Sequence, residues 1–522
     1  MDKRVVRFPG ALLALAIALA SSGFASGEAT IDPVGIDEGV PGGFTFASVA
    51  RRASDLVANP YAPDRPELPH YFADLDYDKY RDIRFQRDQS LWAAEGLPFR
   101  VQFFPRGFMF EDRVVINVVD QGHAVPVDFV GSLFDYGKNP VPTDIPADIG
   151  FAGLRLLYPL NRDDVFDEVA VFLGASYFRA VAQGLHYGIS ARGLAIDTGL
   201  ASNEEFPVFR EFWIEKPDRD ATEITVYALM DSESLTGAYR FRIQPGLQTL
   251  IDVKAQLFFR DSVQKLGIAP LTSMFFHGEN TERFIDDFRP EVHDSDGLVI
   301  ETGHGERIWR PLTNPHGLRI TDLQVTSPKA FGLLQRDRDF THYQDLEAHY
   351  QDRPSVLVEP LADWGKGVVQ LVEIPSDSER YDNIVAFWVP ETPVQAGQQM
   401  ALEYRLRFSR DPEAELLGGR TWATRIGAGG TDILDRTRRK FVMDFVGDSL
   451  ANQPPEAPVE AVVSASSGAL SDAVAQPNPE INGWRLFFEL TPDGDTPVDL
   501  RAFLRKGPDV LTETWTYHWV RE

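Results

Sequence analysis

The sequence predicts an all-β protein built as two sandwiches, a large one followed by a small one. Three observations carry this. Short runs rich in Val, Phe, Tyr and Trp recur along most of the chain, broken by Gly, Pro, Asn and Asp, with few helical stretches between them. Apolar and polar residues alternate in Thr225-Val226-Tyr227-Ala228-Leu229 and in Asp252-Val253-Lys254-Ala255-Gln256-Leu257, the period of a strand with one buried face. The 36 Phe and 36 Pro fit the same picture, rings filling a sheet-on-sheet core while Pro marks loops and edges.

Taken in order, the chain opens with Lys3, Arg4 and Arg7, then the ten apolar residues Ala11 to Ala20, then the small residues of SSGFASG. This is the form of a secretory signal spanning residues 1–27, too short for a membrane anchor. No Arg-Arg pair precedes the apolar run, which points to the general secretory route. Phe46 to Asn59 has helical spacing and stops before a Pro-rich stretch. Strands are expected at Phe99 to Phe104, Val114 to Val119, Glu168 to Leu173, Glu223 to Met230, Gln248 to Phe259, Val368 to Glu373 and Asn383 to Val389. The Pro/Gly segment Pro390 to Gly397 is read as a boundary, giving a first domain of residues 44–391 and a second of 397–522. The second, about 125 residues, has strand-like runs at Met400 to Phe408, Lys440 to Phe445, Val459 to Ser464, Gly483 to Leu490, Val498 to Lys506 and Glu513 to Trp519. That is the size and strand number of an immunoglobulin-like sandwich.

Composition narrows the chemistry. The formal net charge of −27 repels phosphate backbones and anionic lipid, so neither nucleic acid nor stable membrane insertion is expected. Neutral polar substrates such as sugars remain. With no cysteine, disulfides and thiolate chemistry are excluded. The densest polar and aromatic region runs from His277 to Asp382. Two carboxylates flanking a glycosidic bond suffice for its hydrolysis, and Trp, Tyr, Asn and Arg suit a sugar polymer. The competing reading is a solvated acidic loop. Asp294-Ser295-Asp296-Gly297 looks like half a calcium loop without its closing Glu, and His277, His293 and His304 lack zincin spacing. Asp493-Gly494-Asp495 reads as a hairpin turn.

The same stretches carry a resemblance. Phe134-Asp135-Tyr136-Gly137-Lys138-Asn139, Phe209-Arg210-Glu211-Phe212-Trp213, His293-Asp294-Ser295, Gly332-Leu333-Leu334-Gln335-Arg336-Asp337-Arg338-Asp339-Phe340, Trp364-Gly365-Lys366-Gly367 and Asp382-Asn383-Ile384-Val385 are similar to runs of the MdoG/OpgG–OpgD family of periplasmic glucan biosynthesis proteins. The resemblance covers nearly all of the chain after the signal. It implies a large galactose-mutarotase-like β-sandwich, a small immunoglobulin-like sandwich, and a periplasmic protein of osmoregulated glucan biosynthesis. It also implies action on β-1,2-linked glucan as an inverting endo-glucanase or transglycosylase, without a cofactor or metal. By resemblance Asp382 is the general acid and Asp294 the base. Tyr350, Arg353 and Glu379 match residues lining the family's site and proton path. To stay protonated near neutral pH, Asp382 needs desolvation or a second carboxylate nearby, for which Glu379 is a candidate. The alternative the resemblance leaves open is a non-catalytic glucan-binding partner of the membrane glucan glucosyltransferase. One departure stands out: Gly303-His304-Gly305-Glu306-Arg307 replaces a family loop that ends in Trp. If that loop lines the cleft, a stacking surface has become a cation.

Overall fold

The computed structural model describes residues 43–521 apart from 147, 202, 414–417, 431–432 and 472. The signal read at residues 1–27 lies outside the described residues. Every strand expected from sequence falls on a strand of the structure, and the helix is there at Phe46–Leu56.

Two sheets form the larger sandwich. One runs Arg100–Pro105, Phe151–Arg162, Val165–Leu173, Tyr177–Ala180, Ser190–Arg192, Leu266–Ser273, Ile384–Pro390, Lys366–Glu373 and Arg319–Thr326. Facing it is a longer sheet whose central part runs Ser355–Pro360, Gln399–Ser409, Thr249–Phe259, Leu235–Gln244, Ile224–Asp231, Val208–Glu215 and Val115–Asp120. Rings from both close the gap: Phe172 and Phe178 of the first sheet meet Phe212 and Phe241 of the second with centroids 5.1–5.4 Å apart. Pairing is antiparallel almost throughout. Among the described strands the parallel pairs are Val208–Glu215 on Val115–Asp120 and Arg307–Pro311 on Thr514–Trp519, and a lone bridge between Gly419 and Thr512 is parallel too.

Alternation holds in Thr249–Phe259, where Ile251, Val253 and Ala255 are buried and their neighbours half-buried. In Ile224–Asp231 both faces are buried, because the helix Phe46–Leu56 lays Phe46, Val49 and Ala53 on the outer residues Tyr227 and Leu229. A one-sided strand thereby becomes a covered one.

The smaller sandwich packs the sheet of Arg420–Gly429, Asp435–Val446 and Gly483–Thr491 against Glu460–Ala465, Val498–Lys506 and Thr514–Trp519. Phe441, Phe445, Trp484, Phe488, Leu500, Leu504 and Trp515 fill it. The strand Gln399–Ser409, which the sequence places just past the boundary, pairs within the larger sandwich instead: Leu406 lies opposite both Ile251 and Val358. Its apolar face completes the first core. The Asp493-Gly494-Asp495 turn, with Gly494 at φ +68°, links strands of two different sheets and closes no hairpin.

Candidate active site

Asp294 follows the two-residue strand Val292–His293, which pairs with Phe275–His277 so that Phe275 stands opposite His293. The turn after it is pinned on every side. The Asp294 amide donates to the Met274 carbonyl at 2.8 Å, and the Ser295 and Ser273 hydroxyls meet at 2.7 Å. The Asp296 carboxylate accepts from the amides of Arg336 and Asp337 at 2.9 and 3.0 Å. The Asp296 carboxylate is thus held through one oxygen by backbone amides, while its buried Oδ1 has no hydrogen-bond partner. Gly297 has to be glycine, since a Cβ there would sit 2.1 Å from the Trp309 ring.

The Asp294 carboxylate is held by none of these amides. The residue is 8% exposed, and its buried Oδ1 has no hydrogen-bond partner. The nearest cation is Arg353, whose Nε lies 3.5 Å away. Burial pushes the carboxyl up to about 6. Arg353, Arg179 and His293 pull against that rise, and Asp382 adds to it.

Asp382 reaches the same place from 88 residues further on (382 − 294). The residue after it does the positioning. Asn383, 1% exposed, accepts from the Phe275 amide at 2.8 Å and donates to the carbonyls of Phe275 and Ile374 at 3.0 and 3.1 Å. Phe275 also stacks on the His293 ring, with centroids 5.3 Å apart. One residue thus ties the His-Asp-Ser turn to the Asp-Asn-Ile-Val turn. The Asp382 side chain is more open, at 31%, with Arg179 4.0 Å away. Burial raises its carboxyl as well, opposed by Arg179 and Arg353.

The remaining expected residues form a chain beneath the pair. Arg353 lies 5.3 Å over the Tyr350 ring, donates to the Ala348 carbonyl at 3.1 Å and also bonds the Tyr187 carbonyl. The Tyr350 hydroxyl donates to Glu379 at 2.8 Å. Glu379 in turn holds Arg289 at 2.8 Å, and Arg289 also binds Asp345 and Asp287. The structure therefore brings Asp294, Asp382, Tyr350, Arg353 and Glu379 into one neighbourhood. Of the two sources expected for the rise at Asp382, burial is the one that acts; the charge of Glu379 is met by Arg289 and Tyr350.

Sequence reasoning gave no role to Arg179 or Phe275. Arg179 sits on the strand Tyr177–Ala180, its Nε held by the Ser190 hydroxyl at 2.6 Å. Nothing local in Tyr177-Phe178-Arg179 marks it, because its partner lies 203 residues away (382 − 179). The metal readings find little. His304 is exposed on a hairpin loop, while His277 and His293 are buried. Glu291, Asp337 and His342 do bring ligand atoms within 4.8 Å of one another, but Asp337 is bonded to His342 and Glu291 to His293.

Comparison with known proteins bears on the whole of this region. Residues 44–519 match the sequence model of the family described as periplasmic glucan biosynthesis protein, MdoG. The chain belongs to the MdoG family. It is 49% identical over 483 residues to glucans biosynthesis protein G of Ralstonia nicotianae, covering 91% of this chain and 95% of the relative. The protein of that name from Rhodopseudomonas palustris is 47% identical, covering 92% and 94%, and one from Vibrio cholerae 46%, covering 92% and 87%. Among solved structures, a galactose mutarotase related enzyme from Lactobacillus acidophilus aligns at 9% identity and a TM-score of 0.21, covering 49% of this chain and 94% of that one. The fold assignment rests on the sheets themselves.

Within this MdoG-family chain the Gly303 to Arg307 departure is displaced from the carboxylate pair. It closes the hairpin between Gly297–Glu301 and Arg307–Pro311, so a five-residue strand, about 17 Å of extended chain, separates it from the Asp294 turn. The loop lines a cavity of about 440 Å³ shared with Gly418, Phe503 and the segment 510–514. Arg307 is bonded there to Glu413. The Arg307 cation is thereby tied into the contact between the sandwiches, with Glu513 3.9 Å away.

Proposed function

We propose that this protein is exported to the periplasm by its leader, residues 1–27, and acts there in osmoregulated glucan biosynthesis. Its substrate is β-1,2-linked glucan, cleaved or transferred with inversion by Asp382 as general acid and Asp294 as general base. The observation that carries the reading is the pairing itself. Two carboxylates from distant turns share Arg353 and Arg179, and both hold their protons more tightly than a free Asp. Burial that raises carboxyl groups toward neutrality is one way a site runs acid and base chemistry near pH 7.

The acid and base roles are those that the family resemblance implies. Asp294 at about 6 is ionised at pH 7 yet close enough to that pH to accept a proton efficiently. Asp382, the more open of the two, gains its full rise when a sugar chain covers it and removes the remaining water. Tyr381, 60% exposed and adjacent to it, offers a flat face to a glucose ring. A net charge of −27 does not oppose a neutral polymer. Arg353 lies between Asp294 and the Tyr350 ring, and the Tyr350 hydroxyl is bonded to Glu379. No cofactor enters this scheme.

A second reading has its own support, because the relatives are named for glucan biosynthesis and not for cleavage. In it the protein binds the nascent glucan and works with the membrane glucosyltransferase without breaking bonds. No helix among the described residues is long and apolar enough to cross a membrane, so such a contact would be peripheral. Incubating the purified protein with linear β-1,2-glucan and sizing the products by mass spectrometry separates the two. Shorter chains support hydrolysis, and rings one water lighter than linear chains support transfer. An intact polymer that binds tightly overturns the catalytic reading and supports the second.

A further inference from the structure

His293 precedes Asp294 and is fully buried, at 0% exposure. Its two ring nitrogens each face an acceptor. Nδ1 lies 2.8 Å from Gln335 Oε1, and the orientation of that amide is fixed, since Gln335 Nε2 donates to the carbonyls of His293 and Tyr350 at 2.8 and 3.0 Å. Nε2 lies 2.9 Å from Glu291 Oε2. A neutral imidazole has one donor and one acceptor nitrogen, so it cannot satisfy two acceptors at once. The ring is clamped in this position by Phe275, stacked at 13°, and by Tyr343, edge-on with centroids 5.2 Å apart.

We infer that His293 is a standing imidazolium, a positioning residue whose buried charge keeps Asp294 ionisable as the base of the proposed reaction. The inference rests on the reading of Asp294 given above. The groups around the ring agree with it. Glu291, Asp296 and Asp337 surround it with negative charge, against His277 on the paired strand. Burial alone would push the imidazole down, yet the hydrogen bond and charge of Glu291 carry it up to about 9. Glu291 stays ionised because of that same contact, while its neighbour Glu279 is pushed well above the usual carboxylate range by burial and by Glu291. Glu279 accepts from the Thr424 amide of the smaller sandwich at 2.8 Å. The charge behind Asp294 is therefore held in place from both sandwiches. Asp294 itself faces Arg353, Arg179 and Asp382 as well as His293.

The test is NMR of the full chain labelled with 15N-histidine, the His293 signal being identified by its loss in His293→Gln. Both ring nitrogens are expected to carry protons at pH 7 and still at pH 8. A neutral tautomer at pH 7 would overturn the inference. Glu291→Gln, close to isosteric, removes the counter-charge. The ring then becomes neutral, and the Asp294 titration, followed by its 13C-carboxyl signal, moves up by about one pH unit. The acid limb of kcat/KM on β-1,2-glucan moves with it, and activity recovers at higher pH. A neutral ring with an unmoved Asp294 titration would refute the coupling. Because the carboxyl signal is read without turnover, a wild type that leaves β-1,2-glucan intact would sink the proposed reaction while this arm still decided the charge on His293.

Discussion

Ionising a carboxyl group whose proton affinity rises on folding works against the folded state, and Asp294 is in that position at pH 7. Its folded value of about 6 lies above the ordinary 3.8, so the native protein binds the extra proton between those limits. Asp294→Asn is accordingly expected to stabilise the protein at pH 7, on the order of 2 kcal/mol. The gain should vanish near pH 3.5, where Asp294 is protonated folded or unfolded. Urea unfolding at the two pH values reads this directly; equal stability of variant and wild type at pH 7 would contradict the burial argument. For activity the sign is opposite. A base must be ionised, so kcat/KM should fall as pH drops through about 6. At this scale short motifs, read through the family resemblance, led to Asp294 and Asp382 as the candidate pair. Arg179 was not legible, because its role exists only once the strand Tyr177–Ala180 lies beside the Asp382 turn. Which of burial and Glu379 raises Asp382 was hidden for the same reason, since Arg289 claims Glu379.

Between residue and molecule, the working unit is the pair of turns joined through Phe275. Asn383 makes three hydrogen bonds there, all to backbone groups of Phe275 or Ile374. Asn383→Ala leaves buried backbone groups unpaired and is expected to cost about 3 kcal/mol. It should also lower turnover on glucan more than it alters binding, because Asp382 loses its fixed position. Urea midpoints and a KM-against-kcat comparison check both halves. Strands were readable from period and turn residues, and each one expected is present. Less readable was which face of a strand is covered. Ile224–Asp231 is buried on both faces only because a helix about 170 residues earlier lies across it. The Asp-Gly turn at Asp493 was recognisable as a turn, but whether a turn joins neighbours or crosses between sheets depends on partners far away in sequence.

Across the whole molecule, the two sandwiches meet through buried charge. Arg336, half of a short motif in the sequence, is bonded to Glu413 at 2.8 Å and Glu513 at 2.6 Å and lies 3.6 Å over the Trp309 ring. Glu513 is held below the usual range: burial pushes it up, but the charges and hydrogen bonds of Arg336, with Arg307, outweigh that. Its contribution is in force above pH 4.5 and is lost as pH falls below that value. Arg336→Met would strand two buried carboxylates and is expected to cost about 3–5 kcal/mol. Thermal melts at pH 7 and pH 4 should show the deficit shrinking in acid. Composition and strand spacing made a large and a small sandwich legible. The seam was harder to place, because Gln399–Ser409 follows a Pro/Gly segment yet completes the larger core.

The central claim is that Asp294 and Asp382 act as an inverting pair on β-1,2-glucan. Proton NMR of the reducing end, taken in the first moments of cleavage, tests it most directly, with Asp294→Asn and Asp382→Asn measured alongside. The account predicts that the α-anomer appears first and that each substitution lowers turnover at least about a hundredfold, the lower end of acid–base catalysis. A β-anomer formed first, or full activity in either variant, would contradict it.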